Sequence, residues 1–567
     1  MLLLVEHLLE SLGDNDTVVR WSAAKAIGRV SMRLPKDAAD DVLEGVLERC
    51  FGPHTIDKLI HGGCLSIAEL ARRGLILPDR LDAIVPHVCK ALHYEELNGA
   101  VNVGQHVRDA ACYVAWAFAR AYAPDTFTPY VEQLATALLA VAVFDREINC
   151  RRAAAAAIQE HVGRQGTFPR GIELVTLVDY WSLSNRNNAY LVVSTKAAAL
   201  SDTYRKALVK NLVETKLPHP DVNIRRLGSR ALARLVQCIP DFVESYVLPD
   251  LLSRLAADAK GLQSAPLVSR HGALFAIAEM VKIDSIPETS RNQVRSLVPK
   301  LEKERMYRGR GGEKMRVVAC RLLQTISESD WEFKDATANR YLQTIDECLR
   351  QCVEVTQTAA VDALHALVPR LSAESLDGIA EKYLAQLADP NEHVAARRGY
   401  VLAFGGFLNQ ESKTTLSDAR LEQILVRLCA EVRGEVPEQE GAEGEAEKAM
   451  EQDANTRQWA LVSLTRVFEA VGLLHVVKLK CLNRVVGALQ TAIQDYATDQ
   501  RGDVGSWVRE VALESLAVFL RNLDASLVDD GHWSAERTTE VTAWMLQQAV
   551  EKIDRVRARA GMKKFKT

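Results

Sequence analysis

The stretch DQRGDVGSWVREVALESLAVFL, Asp499 to Leu520, decides the fold. Val508, Val511, Ala512, Ser515, Leu516 and Phe519 fall at i, i+3, i+4, i+7, i+8 and i+11, the period that gathers side chains on one helix face. The spacing predicts a helix from near Ser506. Gly502, Asp503 and Gly505 ahead of it suit a tight turn and a helix-start cap. The unit is a loop with an acid, then a helix whose first turn carries Val508-Arg509.

Working outward, the same unit recurs along the chain. Val19-Arg20, Val107-Arg108, Cys150-Arg151 and Ile224-Arg225 each run into alanine- or glycine-containing stripes, and later copies sit at Arg270, Arg316, Arg397 and Arg457. Weaker copies sit at His61, Asn187 and Gln357. Successive anchors are 36 to 60 residues apart, most of them 36 to 47, close to the roughly 40 to 47 residues of HEAT and armadillo repeats. The expected fold is all-α, an α-solenoid of about twelve HEAT/armadillo-like helical repeats stacked into a superhelical rod.

The 567 residues far exceed the ~250 to 300 at which one core stops growing. A hydrophobic content of 48% with 6% aromatic residues fits closely packed helices better than sheets. A net charge of −4 gives no global attraction to nucleic acid or to a membrane surface. The eleven cysteines are odd in number and lack a C-x-x-C pair, reading as small apolar residues of a reducing compartment; Cys348 and Cys352 read as core. The first segment, MLLLVEHLLESLGD, lacks a cationic start and a cleavage site. No stretch reaches the ~18 apolar residues of a membrane span, so a cytosolic protein is expected. That first segment reads as the second helix of a repeat, implying an array that continues before Met1 or a fragment.

Three segments interrupt the pattern. Residues 161–190 carry Gly163, Gly166, Pro169 and Gly171 in a loop more elaborate than an inter-helix turn requires, a position suited to contact. LEKERMYRGRGGEKMR, Leu301 to Arg316, holds six cations against three acids on a glycine-rich turn. EVPEQEGAEGEAEKAMEQD, Glu435 to Asp453, carries eight acids against one lysine and reads as a disordered insert. The domain expectation is therefore 1–432 helical repeats, 433–455 acidic insert, and 456–567 further repeats with a frayed basic tail.

No catalytic motif emerges. GRGGEK lacks the G-x-x-x-x-G-K-[ST] spacing and a preceding strand, H-E-x-x-H and G-x-S-x-G are absent, and histidines and acids are scattered. The chain is read as no enzyme, with no catalytic residue, no metal site and no cofactor. The repeated aspartate and arginine are expected to form a structural ladder in which one repeat's aspartate bonds the next repeat's arginine and backbone.

Several blocks are loop sequences that helix stacking alone does not dictate: VGRQGTFPRGIEL (162–174), VRDAACYVAWAFARAY (107–122), VFDREINCRRAA (143–154), YRGRGGEKMR (307–316) and RGDVGSWVRE (501–510). They resemble the tubulin-folding cofactor D family over nearly the whole chain, from about Asp14 to Arg557. The resemblance implies a HEAT-repeat tubulin chaperone of the cytoplasm and microtubule cytoskeleton. It would bind β-tubulin and the αβ-tubulin heterodimer and act with cofactors C and E and an Arf-like small GTPase, promoting GTP hydrolysis by tubulin as part of that complex. Family members are longer at both ends.

The resemblance implies a client with an acidic surface, so the basic loop with Arg305, Arg308, Arg310 and Lys314 is the charge-complementary candidate for contact. Arg164, Phe168 and Arg170 of the 162–174 loop, and Trp507, are further candidates. The competing reading is a HEAT scaffold of another class, either a transport receptor of the importin-β kind or a phosphatase scaffold.

Overall fold

The computed structural model describes all residues except 1, 54, 99–100, 257–264, 306, 308–310, 390, 409–415, 436–452, 524 and 565–567. The acidic stretch falls mostly among the residues outside that description. The described residues are helical nearly throughout, and the strands among them form two short antiparallel hairpins. They divide into two compact units, one of Met1–Ala256 with Ala265–Pro287, the other running from Glu288 to Thr567.

In the first unit the anchors lie on α1 (Thr17–Ser31), α2 (Asp57–Arg72), α3 (Gln105–Ala121), α4 (Ile148–Arg164), α5 (Val222–Val236) and α6 (Leu267–Lys282). The hairpin of β1 (Glu96–Asn98) and β2 (Val101–Val103) immediately precedes α3, with Glu96 opposite Val103 and Leu97 opposite Asn102. In the second unit they lie on α7 (Gly312–Glu328), α8 (Glu354–Leu367), α9 (Val394–Phe404), α10 (Ala454–Val471) and α11 (Gly505–Arg521). A hairpin of β3 (Thr498–Asp499) and β4 (Gly502–Asp503) precedes α11, and α12 (Asp554–Lys564) follows it.

Neighbouring anchor helices pack directly: α1 on α2, α2 on α3, α3 on α4, α5 on α6, α7 on α8 and α11 on α10 and α12. Buried alanines make that close approach possible: Ala23 and Ala24 on α1, Ala110, Ala111 and Ala115 on α3, Ala154 and Ala155 on α4. Small side chains bring the helix axes near one another while the larger apolar residues fill between them. Each start is capped as the sequence suggests where an aspartate precedes it. Asp16 accepts the Val18 amide at 2.8 Å, Asp221 that of Asn223 at 2.8 Å and Asp453 that of Thr456 at 3.2 Å.

Two sequence expectations are refined. The glycine-rich basic segment is shorter as a loop than its composition implies, because α7 begins at Gly312 and a helix persists to Lys303. One segment, Pro124–Phe144, is long and apolar enough to cross a membrane, with a mean hydropathy of 1.4, but 67% of it is buried within the protein. Its apolar side chains are covered by other helices, Leu134, Leu138 and Leu139 being fully buried. Cys348 is buried as read, but Cys352, also read as core, is exposed because its helix ends at Leu349 and leaves it in the following turn. Among the described residues no group of three or more His, Cys, Asp and Glu is arranged to hold a metal ion.

Candidate functional site

The anchors Arg20, Arg108, Arg151, Arg225, Arg270, Arg397, Arg457 and Arg509 are all buried. A guanidinium out of water needs acceptors for its fixed fork of donors, and they come from two places. The first is the loop ahead of its own helix, at i−6 and i−5. Arg20 donates to the carbonyls of Asp14 and Asn15 (2.5 and 3.1 Å), Arg151 to those of Asp145 and Arg146 (2.9 and 3.1 Å), and Arg225 to those of His219 and Pro220 (2.6 and 2.8 Å).

The second place is the next repeat. Arg20 donates to His61 Nδ1 at 2.8 Å, Arg108 to both oxygens of Asp145 at 2.5 and 3.2 Å, Arg225 to His271 at 3.2 Å, and Arg457 to Asp495 at 2.8 Å. The ladder therefore runs opposite to the expected sense: the arginine of one repeat reaches forward to the acid, histidine or carbonyl of the next. Burial opposes the charge of Arg20, Arg151 and Arg225. It also opposes that of Arg108, but Asp145 more than restores it.

Two weak anchors resolve differently. Gln357 substitutes for arginine, donating to the carbonyls of Leu349 and Ala395 (2.8 and 2.6 Å). Asn187 is exposed; its neighbour Asn188 holds the position, donating to the Ser182 carbonyl at i−6 and 2.8 Å. Arg557 is a further anchor that the stripe did not single out, donating to Glu551 O at 2.8 Å, also i−6.

One rung carries more than stacking. Arg151 donates forward to the carbonyls of Leu183 and Ser184 (2.8 and 3.1 Å), fixing the loop between Val178 and Asn185 from beneath. From within, Asp179 accepts the amides of Trp181 and Ser182 (2.7 and 2.8 Å) and the Ser182 hydroxyl (2.6 Å), and these bonds hold its carboxyl below the usual carboxylate range. The loop so fixed presents Trp181 at 80% exposure and Tyr180 at 53%, their rings nearly perpendicular with centroids 5.5 Å apart. Arg152 lies over Tyr180 at 3.5 Å. A large aromatic surface held open to solvent on an ordered loop is the usual form of a binding hot spot. By contrast, Trp21, Tyr113 and Trp116 on α1 and α3 are half-buried against one another, with Lys25 and Arg120 on their outer faces.

The residues singled out from sequence do not converge. Arg164 closes α4 and pairs with Glu160; Arg170 has a left-handed backbone, φ 51°, and pairs with Glu173 at 2.7 Å; both are exposed. Phe168 is buried, stacked on His161 with centroids 4.8 Å apart, so it supports the loop from inside. Arg305 and Lys314 are exposed on either side of the basic turn, while Arg308 and Arg310 lie outside the described residues. Trp507 is half-buried under Arg501, 4.9 Å from its ring. Tyr180 and Trp181 were missed because period-based reading passes over an aperiodic VDYWSLSN; two adjacent aromatics behind a turn-forming aspartate were the available signal.

A family described as Tubulin-specific chaperone D-like, ARM repeats, matches residues 3–172. The chain is 26% identical over 577 aligned residues to Tubulin-folding cofactor D of Schizosaccharomyces pombe, an alignment covering 98% of this chain and 48% of that protein. The chain is similar to tubulin-folding cofactor D over the residues these alignments cover. Tubulin-specific chaperone D of Dictyostelium discoideum is 37% identical over 329 residues, 56% of this chain and 22% of that protein. The chain thus spans about half of one cofactor D relative and is matched to about a fifth of the other. Solved structures of helical-repeat proteins also align: Kap121p at 13% identity and a TM-score of 0.42, covering 93% of this chain and 54% of that one, and yeast importin-β (Kap95p) at 12% and 0.39, covering 99% and 73%.

Proposed function

We propose that this chain is a tubulin-gripping segment of a tubulin chaperone, acting in the cytoplasm and at the microtubule cytoskeleton. Its clients are β-tubulin and the αβ-tubulin heterodimer, handled together with cofactors C and E and an Arf-like small GTPase. Its contribution to GTP hydrolysis is to hold tubulin while tubulin performs the chemistry. The relatives' names support the client, and the observation that carries the mode of action is the Tyr180–Trp181 pair, fixed by Arg151 and Asp179 yet left uncovered. Arg164 and Arg170 in the first unit and, separately, Arg305, Lys314 and Trp507 in the second supply further contacts, the cations mainly accelerating encounter with an acidic client.

The test is co-elution with αβ-tubulin on size exclusion, with and without the other cofactors, for the wild-type chain and for Trp181→Ala. Removing an exposed aromatic anchor is expected to weaken capture by roughly tenfold or more, while the melting temperature stays put because Trp181 packs on little. Arg305→Glu with Lys314→Glu is expected to slow capture at low salt only. Tubulin capture indifferent to Trp181 would remove the aromatic pair from the interface, and no capture by any form would end the reading.

A further inference from the structure

We infer that a cavity of about 200 Å³ in the first unit, between α1, α2, the β2 strand and the start of α3, binds a phosphate-type oxyanion. This goes beyond the tubulin reading and does not depend on it.

The walls carry three cations, Arg20, Lys58 and Arg146, against one carboxylate, Asp57. The first turn of α3 also lines it. That helix starts after Gly104, whose φ of 118° and lack of a side chain leave the start without a side-chain cap. The amides of Gln105, His106 and Val107 therefore have no intrahelical acceptor and the positive end of the helix faces the cavity.

His61 supplies the independent observation. It is 8% exposed, and its Nδ1 accepts the Arg20 Nε–H at 2.8 Å. In the neutral ring the proton is then on Nε2, and Nε2 has no hydrogen-bond partner among the described residues while the ring lines the cavity. Burial, then Arg20 and His106, push this imidazole down to about 4, which keeps it neutral. A donor on a buried ring that lines the cavity, beside Lys58 and the start of α3, is matched by an acceptor bearing negative charge. An apolar guest would leave the donors unmet.

Existing bonds define which groups remain available. Lys58 spends one of its three donors on the Asn15 side chain. Arg146 is already committed to the Asn102 carbonyl at 2.7 Å and to Glu147 at 3.0 Å. The anion would therefore sit against Lys58, the His61 Nε2–H and the α3 amides, with Asp57 as the carboxylate in the wall and Asp14, Asp16 and Glu147 held near Arg20 and Arg146. The same chemistry is offered by free phosphate and by a phosphoryl group on a partner chain.

The test is calorimetric titration of the intact chain with inorganic phosphate at constant ionic strength, and separately with a phosphoserine peptide and its unphosphorylated twin. Saturable one-to-one binding is expected, weakened at least tenfold by Lys58→Glu and tightened severalfold by Asp57→Asn. Circular dichroism melts of both variants, altered at part-exposed positions, check that they fold. Tighter binding of the phosphopeptide assigns the site to a phosphoprotein; equal or weaker binding assigns it to the free ion. Absence of saturation with both phosphate and phosphopeptide overturns the proposal, and so does binding that neither substitution changes.

Discussion

The two hairpins, one in each unit, are built on the same device and do different things. Each sits just before an anchor helix, and each anchor, Arg108 and Arg509, donates to a carbonyl fourteen residues back, Tyr94 O at 2.9 Å and Asp495 O at 2.5 Å. Both helices begin with a glycine pressed on that carbonyl. A Cβ on Gly104 would lie 2.6 Å from Tyr94 O, and one on Gly505 2.3 Å from Asp495 O. The difference lies in what the hairpins reach. Glu95 and Asn102 meet His219, 124 and 117 residues further on, at 3.1 and 3.2 Å, and Glu95 also faces Lys216 at 3.8 Å. In the second hairpin Asp499 and Arg501 pair with each other at 2.6 Å and face solvent.

Repeat arrays are held by contacts between adjacent repeats, and the first hairpin adds a tie that skips over the repeats anchored at Arg151 and Asn188. The lesson is that an insertion becomes a tie only when it carries a polar group that a distant repeat can bury. His219 is 3% exposed and Glu95 18%, whereas Arg501 is 52% exposed. Water competes for the second pair and not for the first.

The sharpest way to break the comparison is at the shared anchor. Arg108→Ala strands Asp145, itself 3% exposed, and is expected to cost about 3 to 5 kcal/mol in the unfolding transition that contains it, read by urea denaturation. Arg509→Ala should cost less, since Asp503 is 27% exposed and water can solvate it. Next comes the tie itself: His219→Ala should cost roughly 1 to 3 kcal/mol and speed amide exchange in both Glu96–Val103 and the 217–221 loop, two places distant in sequence. Exchange that changes at only one of them would show that no tie exists.

Acid separates the hairpins further. Burial alone would raise the Glu95 carboxyl, but the His219 hydrogen bond, then Lys216 and Arg108, hold it down to about 2 from an ordinary 4.5. A carboxylate depressed in the folded state stabilises fully above its unfolded value, and that contribution disappears as pH falls from about 4.5 towards about 2. Amide exchange at the first hairpin should therefore accelerate across that window in the wild type and change less in Glu95→Gln. The smallest effect is expected at Asp499→Ala, within about 1 kcal/mol, with no change outside the second hairpin.

By itself the sequence determined the helices and their repeat. The stripe from Val508 to Phe519 and its copies depend on a period of 3.6 residues, a local property, and the anchors it marked at Arg20, Arg108, Arg151, Arg225 and Arg509 are buried. The slip from Asn188 to Asn187 shows the limit of that reading, since polar residues side by side in a loop carry no period. The hairpins escaped it for the same reason, their strands being two or three residues long. Only tertiary structure decided that Phe168 turns inward to His161 while Trp181 turns outward, that Arg151 locks the Trp181 loop, and that Glu95 finds His219. A polar or aromatic group in a loop takes its role from whatever the chain brings beside it from tens of residues away, and no local pattern records that.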